Sequence, residues 1–581
     1  MKAIEIQNLS FQYKSLWKRA LDSISVSIEE GEFAGIFGAT GAGKSSLVRV
    51  INRIIPSFFK GNFLGSVKVR GSDCSGKRIP EMSSTVGMVF QEFESQLFST
   101  NVEHEIAFGC ENLGVEKGEI SSRIKRYIEF SGLRGFERRS PSSLSGGEKQ
   151  RLAIASVLAI STPIVVMDEP TTDLDPLGKK SIFELLSRLK EEQRTIVLVE
   201  HETEEAFLLD RLIVMDAGKV IAEGNPQDIL YEVDFLMEKG IRPPDMALLN
   251  ARLKASGILR ENAGEIPHRV EEAFRFLKSA GVVPIKEKYE KMMIDKRIRN
   301  AGSIKPGYQE EIISVHDLHF RYEGEREALS AVNLSIKKGE FIAILGANGS
   351  GKTTLAKHFN GLLKPTSGNV FFSGRNVSLE HVSSMGKNIG YIFQNPDHQI
   401  FSQTVEEEVG FGPGNFGFSH GEIKDRVRDS LRTVGLEGRE KEDPFAMTKG
   451  ERQKVAVASI IASSPEVIIM DEPTTGLDYN DQKRIMAILR RLNDHGHTII
   501  IITHSIWLAA EYARRVIVMK DGCIIRDGFP EEVFEDDAAL AEGNIEVPAI
   551  TKLSKRFGIV ALSVDDFIRC LRQGHHYPEA V

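Results

Sequence analysis

Two glycine-rich segments of the chain have the residue types and the spacing of a loop that binds phosphate. Residues 38–45 read Gly-Ala-Thr-Gly-Ala-Gly-Lys-Ser, and residues 346–353 read Gly-Ala-Asn-Gly-Ser-Gly-Lys-Thr. Each segment follows an apolar run typical of a strand and precedes a helical pattern, over Ser46–Ile54 and Thr354–Gly361, which is the context that the motif requires. Because the glycines let backbone amides converge at a helix N-terminus, each segment predicts a site for phosphate oxygens.

The last two side chains of each segment could act on a bound nucleotide. Lys44 and Lys352 would reach the β- and γ-phosphates, and Ser45 and Thr353 would ligate Mg²⁺. A glycine-rich turn that serves only packing is the alternative. Two full matches, each in the expected context, argue against that alternative.

An acidic pair ends an apolar run in each half of the chain. These pairs are Asp168-Glu169 and Asp471-Glu472, and Pro-Thr-Thr follows both. The aspartate suits the coordination shell of Mg²⁺, and the glutamate suits the polarisation of an attacking water. An acidic pair taken alone is usually a solvated loop, but the shared context favours a functional role.

The motifs recur because the chain is a tandem duplication. The two phosphate loops are 308 residues apart, and the acidic pairs are 303 residues apart. The sequence therefore predicts two copies of one unit of roughly 290 residues. We expect a first nucleotide-binding domain at 1–240, its C-terminal extension and a linker at 241–309, a second nucleotide-binding domain at 310–540 and a C-terminal extension at 541–581.

Composition excludes several classes of protein. Hydrophobic residues make up 41% and charged residues 27% of the 581 residues, which is ordinary for packed globular protein. No apolar run has the 18 or so residues of a membrane span and no signal peptide is evident, so we expect a soluble, cytosolic chain. The net charge of −8 argues against a nucleic-acid binder. Four separated cysteines predict neither a zinc site nor a disulfide framework.

Short β-branched runs alternate with helical stretches, which predicts a mainly parallel sheet covered by helices. Phe33–Phe37, Ile164–Met167 and Thr195–Val199 read as buried strands, and Arg211–Gly224 and Arg515–Gly528 read as hairpins.

A third motif is the sequence Leu-Ser-Gly-Gly-Glu-Lys-Gln-Arg at 144–151, ahead of an apolar helical pattern. Its Ser and two Gly begin a helix whose N-terminus could bind an anion. With this motif, the chain resembles the ATP-binding cassette (ABC) ATPases over nearly its whole length, twice. The resemblance implies an α/β fold of two tandem P-loop NTPase units. Each would have a RecA-like core, an antiparallel β subdomain and a helical subdomain (roughly 92–160 and 395–463). Two ATP molecules would lie head to tail between the units.

The resemblance assigns roles to two further pairs of residues. Tyr13 and Tyr322 match the aromatic residue that stacks on adenine, although a strand-core aromatic is an alternative. Gln91 and Gln394 match the glutamine that joins the Mg²⁺ and water site to the membrane-facing groove.

The same resemblance also assigns roles to residues that follow the acidic pairs. His201 and His504 match the switch histidine that contacts the γ-phosphate, and Asp173–Asp175 and Gly476–Asp478 match the loop through which the units communicate. The expected ATP-binding residues are Tyr13, Gly38, Gly41, Gly43, Lys44, Ser45, Ser46, Gln91, Tyr322, Gly346, Gly349, Gly351, Lys352, Thr353, Thr354 and Gln394. The expected Mg²⁺ ligands are Ser45, Gln91, Asp168, Thr353, Gln394 and Asp471. The expected catalytic residues are Glu169, Glu472, His201 and His504. The expected signature residues are Ser145, Gly146, Gly147, Thr448, Lys449 and Gly450.

The second signature departs from the family pattern. Thr448 keeps a hydroxyl group, but Lys449 brings a Cβ atom and a charge where backbone should approach phosphate closely. Signatures of this family act across the interface between units, so the altered signature would face Lys44. We therefore expect asymmetric sites, with the site of Lys352 and Glu472 the more active.

The residues after each glutamine indicate a branch of the family. Asn-Pro-Asp-His-Gln-Ile-Phe at 395–401 and Glu-Phe-Glu-Ser-Gln-Leu-Phe at 92–98 resemble the ATPases of energy-coupling factor (ECF) transporters, and fusion of both ATPases in one chain is similar to the thiamine-precursor branch. The resemblance implies two partners, a transmembrane scaffold subunit and a substrate-binding membrane subunit, and a place at the cytoplasmic face of the cell membrane. It implies no nucleic-acid partner and no direct contact with the transported substrate. A generic helical surface is one alternative, and a soluble tandem ABC ATPase acting on ribosomes is another.

Overall fold

The structure, a computed structural model, describes residues 1–14, 18–172, 174–302, 310–323 and 327–571. Asp173, one of the residues expected to carry communication between units, lies outside the described residues, as do parts of the expected linker and C-terminal extension. The chain divides into two compact units, Met1–Pro244 and Asp245–Val581, called unit one and unit two below. Among the described residues, no helix is both long and apolar enough to cross a membrane.

Unit one contains strands and helices in alternation. Its strands are β1 (Lys2–Tyr13), β2 (Leu21–Glu29), β3 (Phe33–Phe37), β4 (Gly61–Val69), β5 (Ser72–Asp73), β6 (Val86–Val89), β7 (Ile164–Asp168), β8 (Thr195–Val199), β9 (Arg211–Asp216) and β10 (Lys219–Gly224). Its helices are α1 (Lys44–Ile51), α2 (Ile54–Ser57), α3 (Ile79–Ser83), α4 (Val102–Asn112), α5 (Lys117–Phe130), α6 (Gly146–Ala159), α7 (Pro176–Glu191), α8 (Pro226–Leu230) and α9 (Val233–Glu238).

Two sheets organise the described part of unit one. The central sheet has the strand order β10-β9-β3-β8-β7-β6, and all its pairs except β9 with β10 are parallel. Every residue of β3, β7 and β8 is buried, as expected where helices cover both faces of a parallel sheet. The second sheet, β2-β1-β4-β5, is antiparallel. The predicted α/β core and antiparallel β subdomain are confirmed.

The helical subdomain of unit one is formed by α4, α5 and α6, which pack on one another. Apolar side chains from these helices, such as Ile106, Ile128 and Leu152, join the same hydrophobic core as the strand residues Val165 and Leu198. The subdomain is therefore anchored to the central sheet through apolar packing.

Unit two begins with three helices and then repeats the pattern. Its strands are β11 (Glu311–Arg321), β12 (Glu327–Lys337), β13 (Phe341–Leu345), β14 (Ser367–Phe372), β15 (Arg375–Asn376), β16 (Ile389–Ile392), β17 (Val467–Asp471), β18 (Thr498–Ile502), β19 (Arg515–Lys520) and β20 (Cys523–Gly528). Its helices are α10 (Asp245–Ala255), α11 (Val270–Ser279), α12 (Lys286–Gly302), α13 (Lys352–Phe359), α14 (Val382–Asn388), α15 (Val405–Asn415), α16 (His420–Val434), α17 (Lys449–Ile461), α18 (Tyr479–Asp494), α19 (Ile506–Tyr512), α20 (Pro530–Glu535), α21 (Asp537–Glu542), α22 (Ala549–Arg556) and α23 (Val564–Arg569).

The sheets of unit two reproduce those of unit one. Over the described residues their orders are β16-β17-β18-β13-β19-β20 and β12-β11-β14-β15. Both predicted hairpins are present, and each turns on two residues with positive φ, Ala217-Gly218 and Asp521-Gly522. Such φ values match the twist of the flanking strands.

Helices α10, α11 and α12 pack with α22 and α23 around a hydrophobic core of their own, which we call the helical module. Residues 245–302, expected to belong to an extension of unit one and a linker, thus lie in unit two. The charged helix α12 is not solvated on all sides, because Met292 is buried and Lys296 lies 2.9 Å from Glu531 and 2.6 Å from Asp566.

Candidate active site

The phosphate loop of unit one connects the end of β3 to the start of α1. Gly38 and Gly43 adopt φ values of 152° and 101°, in the region that favours glycine. A Cβ atom on Gly38 would lie 2.2 Å from the carbonyl oxygen of Met215, and one on Gly43 would lie 2.5 Å from that of Ala20. Both positions therefore require glycine. Positive φ values recur at Gly41, Gly346, Gly349 and Gly351.

A buried lysine lies beneath each loop. Lys44 is 4% exposed, and its Nζ donates to the carbonyl oxygens of Gly38 at 2.8 Å and Ala39 at 3.0 Å. Lys352 makes the corresponding two bonds in unit two at 2.9 and 2.7 Å. The ammonium group is thus fixed at the helix N-terminus, where the backbone amides also attract negative charge.

Hydroxyl and carboxylate oxygens suited to Mg²⁺ meet beside the unit-one loop. Ser45 donates its hydroxyl to Asp168 Oδ1 at 2.9 Å. The buried Oδ2 of Asp168 has no hydrogen-bond partner among the described residues and lies 3.9 Å from the Arg49 guanidinium. Burial and the neighbouring charge of Glu169 raise the pKa of Asp168 to about 6. These hard oxygen donors fit Mg²⁺, which in such sites also binds phosphate oxygens and water. When bound, the ion would neutralise charge on the phosphates.

Unit two holds its aspartate differently. Thr353 donates to Asp471 Oδ1 at 3.1 Å, as expected, but Tyr391 also donates to Asp471 Oδ2 at 2.8 Å. The position in unit one that corresponds to Tyr391 is Met88, which carries no hydroxyl. Sequence reasoning missed Tyr391, and the only signal for it was a polar aromatic residue in an otherwise apolar strand near Gln394.

Glu169 is the centre of a hydrogen-bonded group in unit one. Gln91 Nε2 donates to its Oε2 at 2.7 Å, and His201 Nε2 lies 2.6 Å from its Oε1. Burial favours the neutral form, but His201, followed by Lys44 and Thr172, outweighs burial and lowers the pKa of Glu169 to about 2. The structure thus brings together the glutamine, glutamate and histidine that the sequence predicted. A carboxylate held charged in this way can accept a hydrogen bond from a water and orient it.

The backbone presents both glutamates in the same unusual conformation. Glu169 and Glu472 have positive φ values of 51° and 48°. Their amides donate to the last residues of the adjacent strands, Val199 at 3.0 Å and Ile502 at 2.9 Å. A left-handed conformation costs a residue other than glycine of order 1 kcal/mol and is concentrated at functional sites.

The glutamate and histidine of unit two are also adjacent. His504 Nε2 lies 3.1 Å from Glu472 Oε1, and the His504 amide donates to Glu472 Oε2 at 3.2 Å. Gln394 follows β16 and is exposed.

Each expected adenine-stacking tyrosine is tied to the helix that follows the loop. The Tyr13 hydroxyl lies 3.0 Å from Ser46 Oγ, and the Tyr322 hydroxyl lies 3.2 Å from Thr354 Oγ1. Tyr322 is 37% exposed. Both rings therefore stand beside their phosphate loops, and stacking on adenine stays a prediction.

The two signatures begin their helices with the same capping arrangement. Ser145 accepts the Glu148 amide at 3.4 Å, and Glu148 accepts the Ser145 amide at 2.7 Å. Thr448 and Glu451 make the same reciprocal pair at 3.3 and 2.9 Å. This capping box explains why threonine can replace serine in the second signature. Gly146 and Gly147 begin α6, and Lys449 and Gly450 begin α17.

Two lysines of the altered second signature contact other segments of unit two. Lys449 Nζ would lie 2.6 Å from a Cβ atom on Gly476, so its ammonium group covers the backbone there. Lys454, later in the signature helix, pairs with Asp481 at 3.1 Å, and both are largely buried. Unit one has Gly178 at the position of Asp481, so this pair is specific to unit two.

Comparison with known proteins identifies the family of the chain. The family model described as ABC transporter matches residues 21–172 and 329–475. A chain of Caldanaerobacter subterraneus subsp. tengcongensis named as an ABC transporter ATP-binding protein is 46% identical over 98% of this chain and 99% of its own length. A chain of Methanosarcina acetivorans with the same description is 39% identical over 95% of this chain and 90% of its own.

One solved structure to which this chain is similar is CbiO1 of Clostridium perfringens, part of the ABC transporter complex CbiONQ. It is 37% identical, and the match covers 42% of this chain and 99% of that chain with a TM-score of 0.38. The family model matches both halves of the chain, and the relatives match nearly all of it. The chain therefore belongs to the ABC transporter family, and its two halves are ATP-hydrolysing ABC ATPase units.

Proposed function

We propose that this chain is the motor of a membrane importer of the energy-coupling factor type, which takes up a vitamin or a transition-metal ion. Its partners would be a transmembrane scaffold subunit and a substrate-binding membrane subunit, at the cytoplasmic face of the membrane. It would contact neither nucleic acid nor the transported substrate. ATP binding and hydrolysis would close and open the units, and that motion would pass to the membrane subunits.

The observation that carries this proposal is an exposed pair of phenylalanines in each helical subdomain. Phe98 and Phe108 lie edge to face with centroids 4.5 Å apart and are 61% and 42% exposed. Phe401 and Phe411 repeat the arrangement at 4.7 Å, with 59% and 49% exposure. These rings are not among the expected ATP-binding residues. Aromatic surfaces kept exposed in this way are typical of sites that bind another protein.

A buried carboxylate fixes each exposed pair. Glu105 is 3% exposed and accepts the amides of Phe98 at 3.0 Å and Ser99 at 2.8 Å. Glu408, also 3% exposed, accepts the amides of Phe401 at 3.0 Å and of the next residue at 2.9 Å. Hydrogen bonds to a charged acceptor are about twice as strong as neutral ones. Both units therefore hold an exposed aromatic loop in one position, as docking requires.

The exposed pair is also connected to the chemistry. In unit one Phe98 lies seven residues after Gln91, whose side chain donates to Glu169. A partner that displaces the phenylalanine loop would thereby act on the glutamine and on the glutamate that it touches. This route supports coupling between docking and ATP hydrolysis.

We extend the proposal to the roles of the site residues. Lys44 and Lys352 would bind the phosphates, Glu169 and Glu472 would orient the attacking water, and the tyrosines would stack on adenine. Following the family pattern, the two signatures would act on the ATP of the opposite unit. Lys449 would make the site of Lys44 the less active of the two.

Affinity capture from detergent-solubilised membranes tests the proposal. The wild-type chain is expected to recover an integral membrane protein, identified by mass spectrometry, and a Phe401→Ala/Phe411→Ala variant is expected to lose it. Phe58→Ala, at a residue 72% exposed elsewhere in unit one, is the matched control and should retain the partner. ATP binding by all three chains shows that they are folded. Recovery of ribosomal proteins without a membrane protein would replace the importer with a ribosome-associated ATPase.

A further inference from the structure

Unit one carries a buried carboxyl group that unit two lacks. Glu200 directly precedes His201 and is 2% exposed. The corresponding residue of unit two, Thr503, precedes His504 and carries a hydroxyl group instead. A buried glutamate is rare unless its oxygens are bonded, so its partners indicate what it does.

Three donors surround Glu200. Thr171 donates its amide to Oε1 at 3.2 Å and its hydroxyl to the same oxygen at 2.6 Å. The His201 amide donates to Oε2 at 3.2 Å. Thr171 lies in the loop after the catalytic pair, two residues from Glu169, and His201 is the predicted switch. Glu200 therefore joins the segment that carries the glutamate to the segment that carries the histidine.

The duplicate copy shows the arrangement without this carboxyl group. In unit two the His504 amide donates to Glu472 itself at 3.2 Å, and the Thr503 hydroxyl accepts the amide of Ser505 at 3.0 Å. Glu200 thus takes over an amide bond that the catalytic glutamate accepts in unit two. The distance from the histidine Nε2 to the glutamate Oε1 is 2.6 Å in unit one and 3.1 Å in unit two.

The surroundings of Glu200 are crowded with charge. Glu169 after β7 and Glu202 after β8 face it with negative charge. Lys179 on α7 faces it with positive charge and pairs with Glu202. Burial first, and then Glu202 and Glu169, raise the pKa of Glu200 to about 8, although the bond from Thr171 opposes the rise. At neutral pH the group is mostly uncharged, and a modest rise in pH adds a second negative charge beside Glu169.

We propose that Glu200 is a positioning residue that seats the switch histidine of unit one against Glu169 and thereby sets the affinity of the Lys44 loop for ATP. The proposal rests on ATP binding at that loop and does not depend on which membrane partner the chain has. While neutral, with the proton on Oε1 and the Thr171 hydroxyl turned to accept it, Glu200 still accepts the His201 amide at Oε2 and does not repel the phosphates. Once charged, it adds a buried negative charge that is poorly screened by solvent and that opposes a polyanionic ligand.

The test measures the affinity of the purified chain for Mg·ATP between about pH 6.5 and about pH 9.5. A Lys352→Ala background confines binding to unit one. The dissociation constant is expected to rise several-fold, at most about tenfold, as the pH passes about 8. Glu200→Gln and Glu200→Thr should remove this rise. Glu202→Gln is the matched control: the rise should persist, with its midpoint at lower pH, because the charge of Glu202 raises the pKa of Glu200.

Two further measurements keep the test decisive if a variant folds poorly. In a Lys44→Ala background, Thr503→Glu should introduce the same pH dependence at unit two. In the otherwise unmodified chain, infrared difference spectroscopy should show a protonated carboxyl group that disappears as the pH passes about 8. The proposal is overturned if Glu200→Gln keeps the wild-type pH dependence, or if no protonated carboxyl group is found at neutral pH. Failure of the chain to bind ATP at the Lys44 loop at any pH would instead refute the ATP site itself.

Discussion

Removal of the buried glutamate that holds a phenylalanine loop should lower the stability of the closed loop by an amount that can be estimated from the hydrogen bonds lost. In the Glu408→Ala variant, the amides of Phe401 and Ser402 lose a shared charged acceptor. A hydrogen bond to a charged group contributes roughly 1.5–3 kcal/mol. Loss of two such bonds should therefore destabilise the closed loop by about 3 kcal/mol or more. That free energy corresponds to roughly a hundredfold increase in loop opening. Glu408→Gln retains an acceptor oxygen and should cause a smaller increase.

Amide hydrogen exchange measures this opening directly. In Glu408→Ala the amides of Phe401 and Ser402 should exchange roughly a hundred times faster than in the wild type. The amides of Phe98 and Ser99 in unit one should keep their rates and serve as an internal reference. Glu407→Ala, at an exposed neighbour on the same helix, is the matched variant and should leave all four amides unchanged.

The reasoning would be refuted if Phe401 and Ser402 exchanged at the wild-type rate in Glu408→Ala. It would also be refuted if Glu407→Ala had the same effect, because the loop would then depend on general helix stability. Glu105→Ala should reproduce the result in unit one, since its carboxylate accepts the corresponding amides.

Three other predictions concern the two sites. Glu472→Gln should lower ATP turnover on the order of a hundredfold, and Glu169→Gln should lower it less, as measured by phosphate release; a larger loss in Glu169→Gln would contradict the proposed asymmetry. Glu200→Gln should gain stability over wild type as the pH rises from about 4.5 to about 8, because the raised pKa of Glu200 makes ionisation unfavourable in the folded state. The gain in the free energy of unfolding should reach up to about 5 kcal/mol. Thermal unfolding of the variant and the wild type near pH 5 and near pH 9 measures it, and an equal gain at both pH values would contradict the raised pKa. Tyr391→Phe should weaken Mg·ATP binding at unit two several-fold by removing a donor to Asp471, as measured by titration with and without Mg²⁺; an unchanged affinity would show that the hydroxyl has no such role.

The sequence predicted those parts of the fold that are determined locally. The strands Phe33–Phe37 and Thr195–Val199 were predicted at their observed bounds, because a short continuous apolar run between polar segments is typical of a buried strand. The helices after the phosphate loops begin at Lys44 and Lys352, two residues earlier than the apolar pattern indicated. The difference arises because the lysines themselves form the first turn.

Contacts between segments that are distant in the sequence could not be predicted from local patterns. Tyr391 meets Asp471 only because β16 pairs with β17 in the sheet, and Glu200 gains its role only because the chain returns beside Thr171. Neither residue belongs to a motif. The packing of α10–α12 with α22 and α23 likewise joins segments some three hundred residues apart, and no periodicity in either segment specifies the other.

The contacts within the helical module determine what would follow if the gene for this chain were divided into two. Residues 245–302 also contact the C-terminal part of the chain non-covalently, through the ion pairs of Lys296 with Glu531 and Asp566 and the hydrogen bond from the Ile550 amide to Asp245. A gene divided after codon 302 would encode an N-terminal polypeptide that ends in three helices complementary to the other product. Fission of this chain would therefore yield two proteins that carry their own means of reassembly.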